Sequence, residues 1–173
     1  MNKFKTAQKI PYLNLSNLKL EKLPSSISEL TWLGALSVSR NNLSNLDALS
    51  SLTNLHKLAF SNNNITNIEI VEKLPKIRHI FMKHNNITDI SPLKSLVKLK
   101  KIEANHNKIQ NIESILKLKN LVFLDLAHNQ IEVLEPLANI ESLVWVCLEG
   151  NNDKKAIYQI MPSSLPKLAH FSY

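Results

Sequence analysis

Three histidines, His84, His106 and His128, recur at a constant 22-residue step in a chain of 173 residues. On adjacent strands their imidazoles would lie within roughly 5 Å of one another, close enough for a zinc or nickel site or a pH-sensitive edge. No fourth ligand accompanies them, so the expectation is a row of solvated polar residues and no metal. The one cysteine, Cys147, is the only thiol available as a nucleophile. Its nearest candidate base, His128, falls roughly 11 Å away by strand geometry, outside the hydrogen-bond reach that a thiol and its base require. Asp125 beside Cys147 would also disfavour a thiolate. With Gly34 and Gly150 the only glycines, loops of the GxGxxG or GxxxxGK[ST] type are excluded. The sequence therefore offers no catalytic residue and no cofactor site, and the chain reads as a non-enzyme.

Charge narrows the partner. The net charge of +7 comes from 21 Lys and Arg against 14 Asp and Glu, and it is spread thinly. The densest basic stretch, Lys94 to Lys101, is broken by Leu96, Val97 and Leu99, and no arginine cluster occurs. Nucleic acid is therefore disfavoured as a partner, because counterion release rewards clustered cations. No apolar stretch is long enough to span a bilayer. The first residues lack a signal-peptide apolar run and cleavage site, which predicts no leader. Asn-x-Ser/Thr triplets at Asn14, Asn42, Asn64 and Asn86 would accept glycans in a secreted protein, but a repeat explains them equally. A single cysteine fits a reducing compartment, so the expected location is cytoplasmic, extending to nuclear or cytoskeletal sites.

The elements that place these residues are repeats. Leucine (29), asparagine (21) and isoleucine (17) fall into columns of the pattern LxxLxLxxNxIxxI. Units begin at Ile10, Leu33, Leu55, Ile77, Leu99, Leu121 and Leu143, the first step being 23 residues and the others 22. The fourth column (Leu13, Leu36, Leu58, Ile80, Ile102, Leu124, Val146) and the sixth alternate with polar positions, which is strand periodicity. The ninth column holds Asn41, Asn63, Asn85, Asn107, Asn129 and Asn151, where an inward amide at a bend can satisfy otherwise buried backbone groups.

These columns resemble the leucine-rich repeat family, and the uniform step with NNIxxI and SPLxxLxxL segments is similar to the subclass typified by the regulator of type-1 protein phosphatase. The resemblance implies an α/β fold: a curved leucine-rich repeat solenoid with a parallel concave sheet, short 3-10 or irregular convex turns and a C-terminal helical cap. The first unit, with LEKLPSSISEL, resembles a longer leucine-proline variant. The domain reading is a tail over 1–9, seven repeats over 10–152 and a cap over 153–173. Tyr158 and Leu165-Pro166-Lys167-Leu168 match the cap of cytosolic members, while Ser172 stands where that cap usually has Asp.

Strand alternation turns the third, fifth and seventh columns out of the concave face, with the eighth at its rim. There the first units are small and polar, the middle basic and the last aromatic and acidic. Large aromatics in water-facing columns are characteristic of interface anchors. The expected partner-binding residues are Phe81, Glu103, Phe123, Asp125, Trp145 and Glu149, with a secondary basic patch at Lys57, Arg78, Lys83 and Lys101. The acidic members would select a basic partner surface. The function expected is a non-catalytic, monomeric module that binds another protein, in the manner of a phosphatase regulator or adaptor subunit, away from any membrane. The alternative is a ribonucleoprotein subunit whose basic middle contacts RNA.

Overall fold

The computed structural model describes residues 11–151 and 170–172. Three-residue strands recur at the expected step: β1 (Tyr12–Asn14), β2 (Ala35–Ser37), β3 (Lys57–Ala59), β4 (His79–Phe81), β5 (Lys101–Glu103), β6 (Phe123–Asp125) and β7 (Trp145–Cys147). An eighth, β8 (His170–Ser172), follows, and all eight form one parallel sheet in chain order. The register is constant: Leu58 pairs with Ile80, Ile80 with Ile102 and Ile102 with Leu124. The pattern within β2 and β4–β6, half-exposed then buried then half-exposed, is the one that alternating columns require.

The convex returns are 3-10 turns, Ser25–Glu29, Asp47–Leu49, Glu69–Lys73, Ser91–Ser95, Glu113–Lys117 and Glu135–Asn139. Each drops an aliphatic residue, Ile27, Leu49, Val71, Leu93, Ile115 or Leu137, into the core opposite the strand residues, and two of them also bury a proline, Pro92 or Pro136. Four of the turns are opened by a side chain that accepts the backbone N–H two residues on: Asn45 from Asp47, Asn67 from Glu69, Asp89 from Ser91 and Asn111 from Glu113. These Asx turns explain the Asn or Asp two residues ahead of those four positions. The expected helical cap lies outside the described residues. What is described beyond residue 151 is β8, which continues the sheet by pairing Val146 with Phe171, an extension that the non-repetitive C-terminal sequence did not announce.

The ninth-column asparagines join one coil to the next. The Asn107 amide donates to the carbonyls of Ala104 (3.0 Å) in its own coil and Met82 (3.0 Å) in the preceding one. Its Oδ1 accepts the Ile87 N–H at 3.1 Å. The same arrangement repeats at Asn63, Asn85, Asn129 and Asn151. Each is buried, so removing the amide strands backbone groups where water cannot replace it.

Asn107→Ala is therefore expected to lower the unfolding free energy by about 2–4 kcal/mol, read from urea denaturation. A loss below about 1 kcal/mol would show that the coils are pinned by something other than these amides.

Candidate functional site

The outward columns sit on β3–β7 and the segments just after them. Phe81, Glu103, Phe123, Asp125 and Trp145 are half-buried, and Glu149 is exposed. Of the basic group, Lys57 and Arg78 are exposed while Lys83 and Lys101 are half-buried. Three outward positions prove buried instead, Ser61, Ala127 and Cys147 at 7%, 6% and 8% exposure. All three are small side chains.

The aromatic residues form a fixed row. Phe123 and Trp145 are register partners, and their rings stack at 4.0 Å with 1° between planes. The Lys101 ammonium approaches Phe123 from the β5 side at 4.0 Å from the ring centroid. It also lies 5.6 Å from the centre of Phe81, whose ring receives Lys57 at 5.0 Å. Stacking and cation–π attraction thus hold each ring by its neighbours on adjoining strands.

The columns suggest a negative patch beside a basic one, whereas the side chains interlock across the two. Glu103 forms ion pairs with Lys101 at 2.8 Å and Lys83 at 3.0 Å. Burial works against its ionisation, but the hydrogen bonds from Lys101 and Lys83 outweigh that and hold the carboxyl below its ordinary value. Asp125 accepts from the Asn105 amide and, at 3.2 Å, from the Ala127 N–H. Among the three acids of this face, two are therefore engaged within the protein. Lysine side chains are long enough to cross from one column to another, and column spacing alone does not report where they end.

The rim column has a backbone signature that the sequence reading did not contain. Arg40, Asn62, His84, His106 and His128 all adopt left-handed φ, between 49° and 57°, and Gly150 continues them at 72°. Asn, His and Gly are tolerant there, which fits five of these six positions, Arg40 being the exception. The imidazoles stack in a ladder, His84 on His106 at 4.2 Å and His106 on His128 at 4.3 Å. Gly150 ends it, because a Cβ at that position would lie 2.4 Å from the His128 Nδ1. Imidazole lone pairs lie in the ring plane, so stacked rings point them side by side and not toward a common ion. No group of His, Cys, Asp or Glu among the described residues is placed to hold a metal.

Comparison with known proteins agrees with this geometry. Residues 53–95 and 97–139 match the family model described as leucine rich repeats in two copies. No curated protein sequence matches the chain. Among solved structures, an internalin of Listeria monocytogenes is 26% identical with a TM-score of 0.73, covering 89% of this chain and 51% of that one. A leucine-rich repeat protein of Leptospira interrogans is 25% identical with a TM-score of 0.85, covering 93% of this chain and 42% of that one. The chain thus spans about half the length of these structures. A further Listeria monocytogenes internalin domain, whose structure includes a cysteine ladder, is 21% identical with a TM-score of 0.76 and agrees in fold. It covers 95% of this chain and 39% of that one.

Two histidines titrate low. Desolvation, then the charges of His84 and His128, hold His106 below its ordinary value against the opposing pull of Asp125. Desolvation, then Lys57, Lys101, Lys100 and Arg78, do the same to His79. A histidine held low in the folded state binds its proton more readily once unfolded, so stability is lost as pH falls through 6.5 toward the folded-state values. Glu103 acts only lower, as pH falls below 4.5. The urea midpoint is expected to fall between about pH 7.5 and about pH 5.5. In His106→Asn, which keeps a residue tolerant of left-handed φ, that fall becomes smaller. An unchanged slope would remove the ladder from the account.

Proposed function

We propose that this leucine-rich repeat protein is a non-catalytic interaction module that holds a protein partner on the exposed face of its sheet. Leucine-rich repeat proteins generally serve protein–protein interaction, and the fold is theirs. The observation that supports the site is the row Phe81, Phe123 and Trp145, half-exposed yet already fixed by Lys57, Lys101 and their mutual stack. Rings ordered before binding lose little side-chain freedom on binding, which is how aromatic anchors contribute most. The finer form of the reading is a monomeric, cytoplasmic regulatory or adaptor subunit comparable to the phosphatase-regulator subclass. An RNA-associated role would need ring faces open to bases. Phe123 carries Lys101 on one side and Trp145 on the other, and Phe81 carries Lys57 and Lys101, which favours a protein partner.

The test is capture of partners from a cell lysate by the wild type and by Phe123→Ala plus Trp145→Ala, with circular dichroism confirming that both fold. Loss of anchors at the centre of an interface is expected to reduce retention of the specific partner by about tenfold or more. Equal recovery by both proteins would sink the aromatic row as the binding site.

A further inference from the structure

Beside the aromatic row, where the strands begin, lies a group of cations of which Lys101 alone is ion-paired, to Glu103, among the described residues. The segments 54–57, 76–79, 98–101 and 119–122 contain Lys57, Lys76, Arg78, Lys98, Lys100, Lys101 and Lys119, one third of the chain's 21 Lys and Arg, and no Asp or Glu. The sheet's constant register brings these segments together as neighbouring rows along one edge.

Arg78, Lys98 and Lys100, all exposed, line an open notch of about 200 Å³ together with Asn120. Among the described residues none of the three cations has an ion pair, since both pairs belong to Lys83 and Lys101 on Glu103. Lys76 and Lys119 donate to neutral oxygens, those of Asn54 and Asn139. The backbone beneath is fixed: the Arg78 carbonyl accepts the N–H groups of Lys100 and Lys101, and the Lys100 carbonyl those of Val122 and Phe123. The Asn120 amide is tied to the Val97 carbonyl at 2.9 Å. At the same edge burial, then the charges of Lys57, Lys101, Lys100 and Arg78, hold His79 below its ordinary value. Apolar surface adjoins the notch, with Val97 at 53% and Val122 at 40% exposure, and Val122 leads directly into Phe123.

We propose that this edge of β4–β6 docks an acidic segment of the protein partner, with carboxylates seated at Arg78, Lys98 and Lys100. The inference rests on the reading that the adjoining face binds a protein, and it deepens that reading by fixing the partner's charge. It reverses the sign expected from Glu103, Asp125 and Glu149. Glu103 is neutralised from within, whereas the edge cations keep their charge for a partner. Carboxylates at the edge would steer encounter and set orientation, and apolar residues next to them would fall on Val122 and the Phe123–Trp145 pair.

The probe is a fluorescent peptide of about six glutamates followed by Gly-Leu-Phe, compared with its glutamine and lysine counterparts and with a single-stranded oligothymidine of similar length. The glutamate peptide is expected to bind about tenfold or more tightly than the glutamine peptide, with affinity falling as salt rises. Arg78→Ser/Lys98→Ser/Lys100→Ser should abolish that preference. Lys73→Ser/Lys94→Ser/Lys117→Ser removes the same net charge from the convex turns and should change affinity by less than about threefold. Equal loss in the two triple variants would overturn the proposal as general attraction to a basic protein. Preference for the lysine peptide would overturn the partner's sign while leaving a protein-binding face intact. Tighter binding of the oligothymidine, lost in the edge variant, would overturn it in favour of nucleic acid. If Phe123→Ala/Trp145→Ala leaves glutamate-peptide binding unchanged while the edge variant abolishes it, the acidic dock stands and the aromatic-row reading falls.

Discussion

A buried asparagine amide that belongs to two coils at once is the interaction on which the structure depends. A solenoid coil ends its strand in a bend whose carbonyls and N–H groups face inward, where no water can reach them. Asn63, Asn85, Asn107, Asn129 and Asn151 each donate to their own coil and to the coil before, while accepting an N–H from that earlier coil. A side chain of this length can do so only if every coil sits at the same rotation and height. The amide also accommodates the 23-residue first unit, across which Asn41 donates to the Leu15 carbonyl and accepts the Leu18 and Leu20 N–H groups, so it fixes how coils stack and leaves room for a longer convex return.

Constant register has a chemical consequence. Any side chain in an outward column meets the same column of the next unit at strand spacing, so the face is made of stacks. Where the column holds histidine the result is a ladder of imidazoles. Where it holds lysine followed by phenylalanine and tryptophan, the result is an ammonium on a ring that lies on another ring. The left-handed φ that turns each strand toward its asparagine restricts the rim column further, and His, Asn and Gly hold all of its positions after Arg40. Conformation and stacking together explain the histidines without any ion.

Most of this was legible in the columns because burial imposes period two on strands and the repeat imposes period 22 on everything else. Leu58, Ile80, Ile102 and Leu124 are core residues as their column requires, and the asparagines are buried as theirs requires. Pairing on the face was not legible. Glu103 is acidic in sequence, yet Lys83 from the preceding unit and Lys101 two residues earlier fold over it, and sequence spacing does not encode the reach of a flexible side chain. The burial of Cys147 and Ala127 was likewise not legible, since alternation assigns a face to a residue and not its exposure there. β8 escaped because the chain before it leaves the repeat, and with it the periodic signal that locates strands.

The charges of the face and of the edge differ in kind for a physical reason. Glu103 in the middle of the sheet has one lysine in reach on its own strand and one just after the preceding strand, and bringing the charges together offsets the desolvation each would suffer alone. At the edge Arg78, Lys98 and Lys100 are exposed and have no ion pair among the described residues, and they are spread over successive rows. Hydrated, like-charged side chains repel, which costs the folded state a little stability that only an opposite charge from outside can recover. In the proposed interface the aromatic part is held by its neighbours and the basic part is electrostatically unsatisfied, so apolar contact would set how tightly a partner is held and the edge which partners approach.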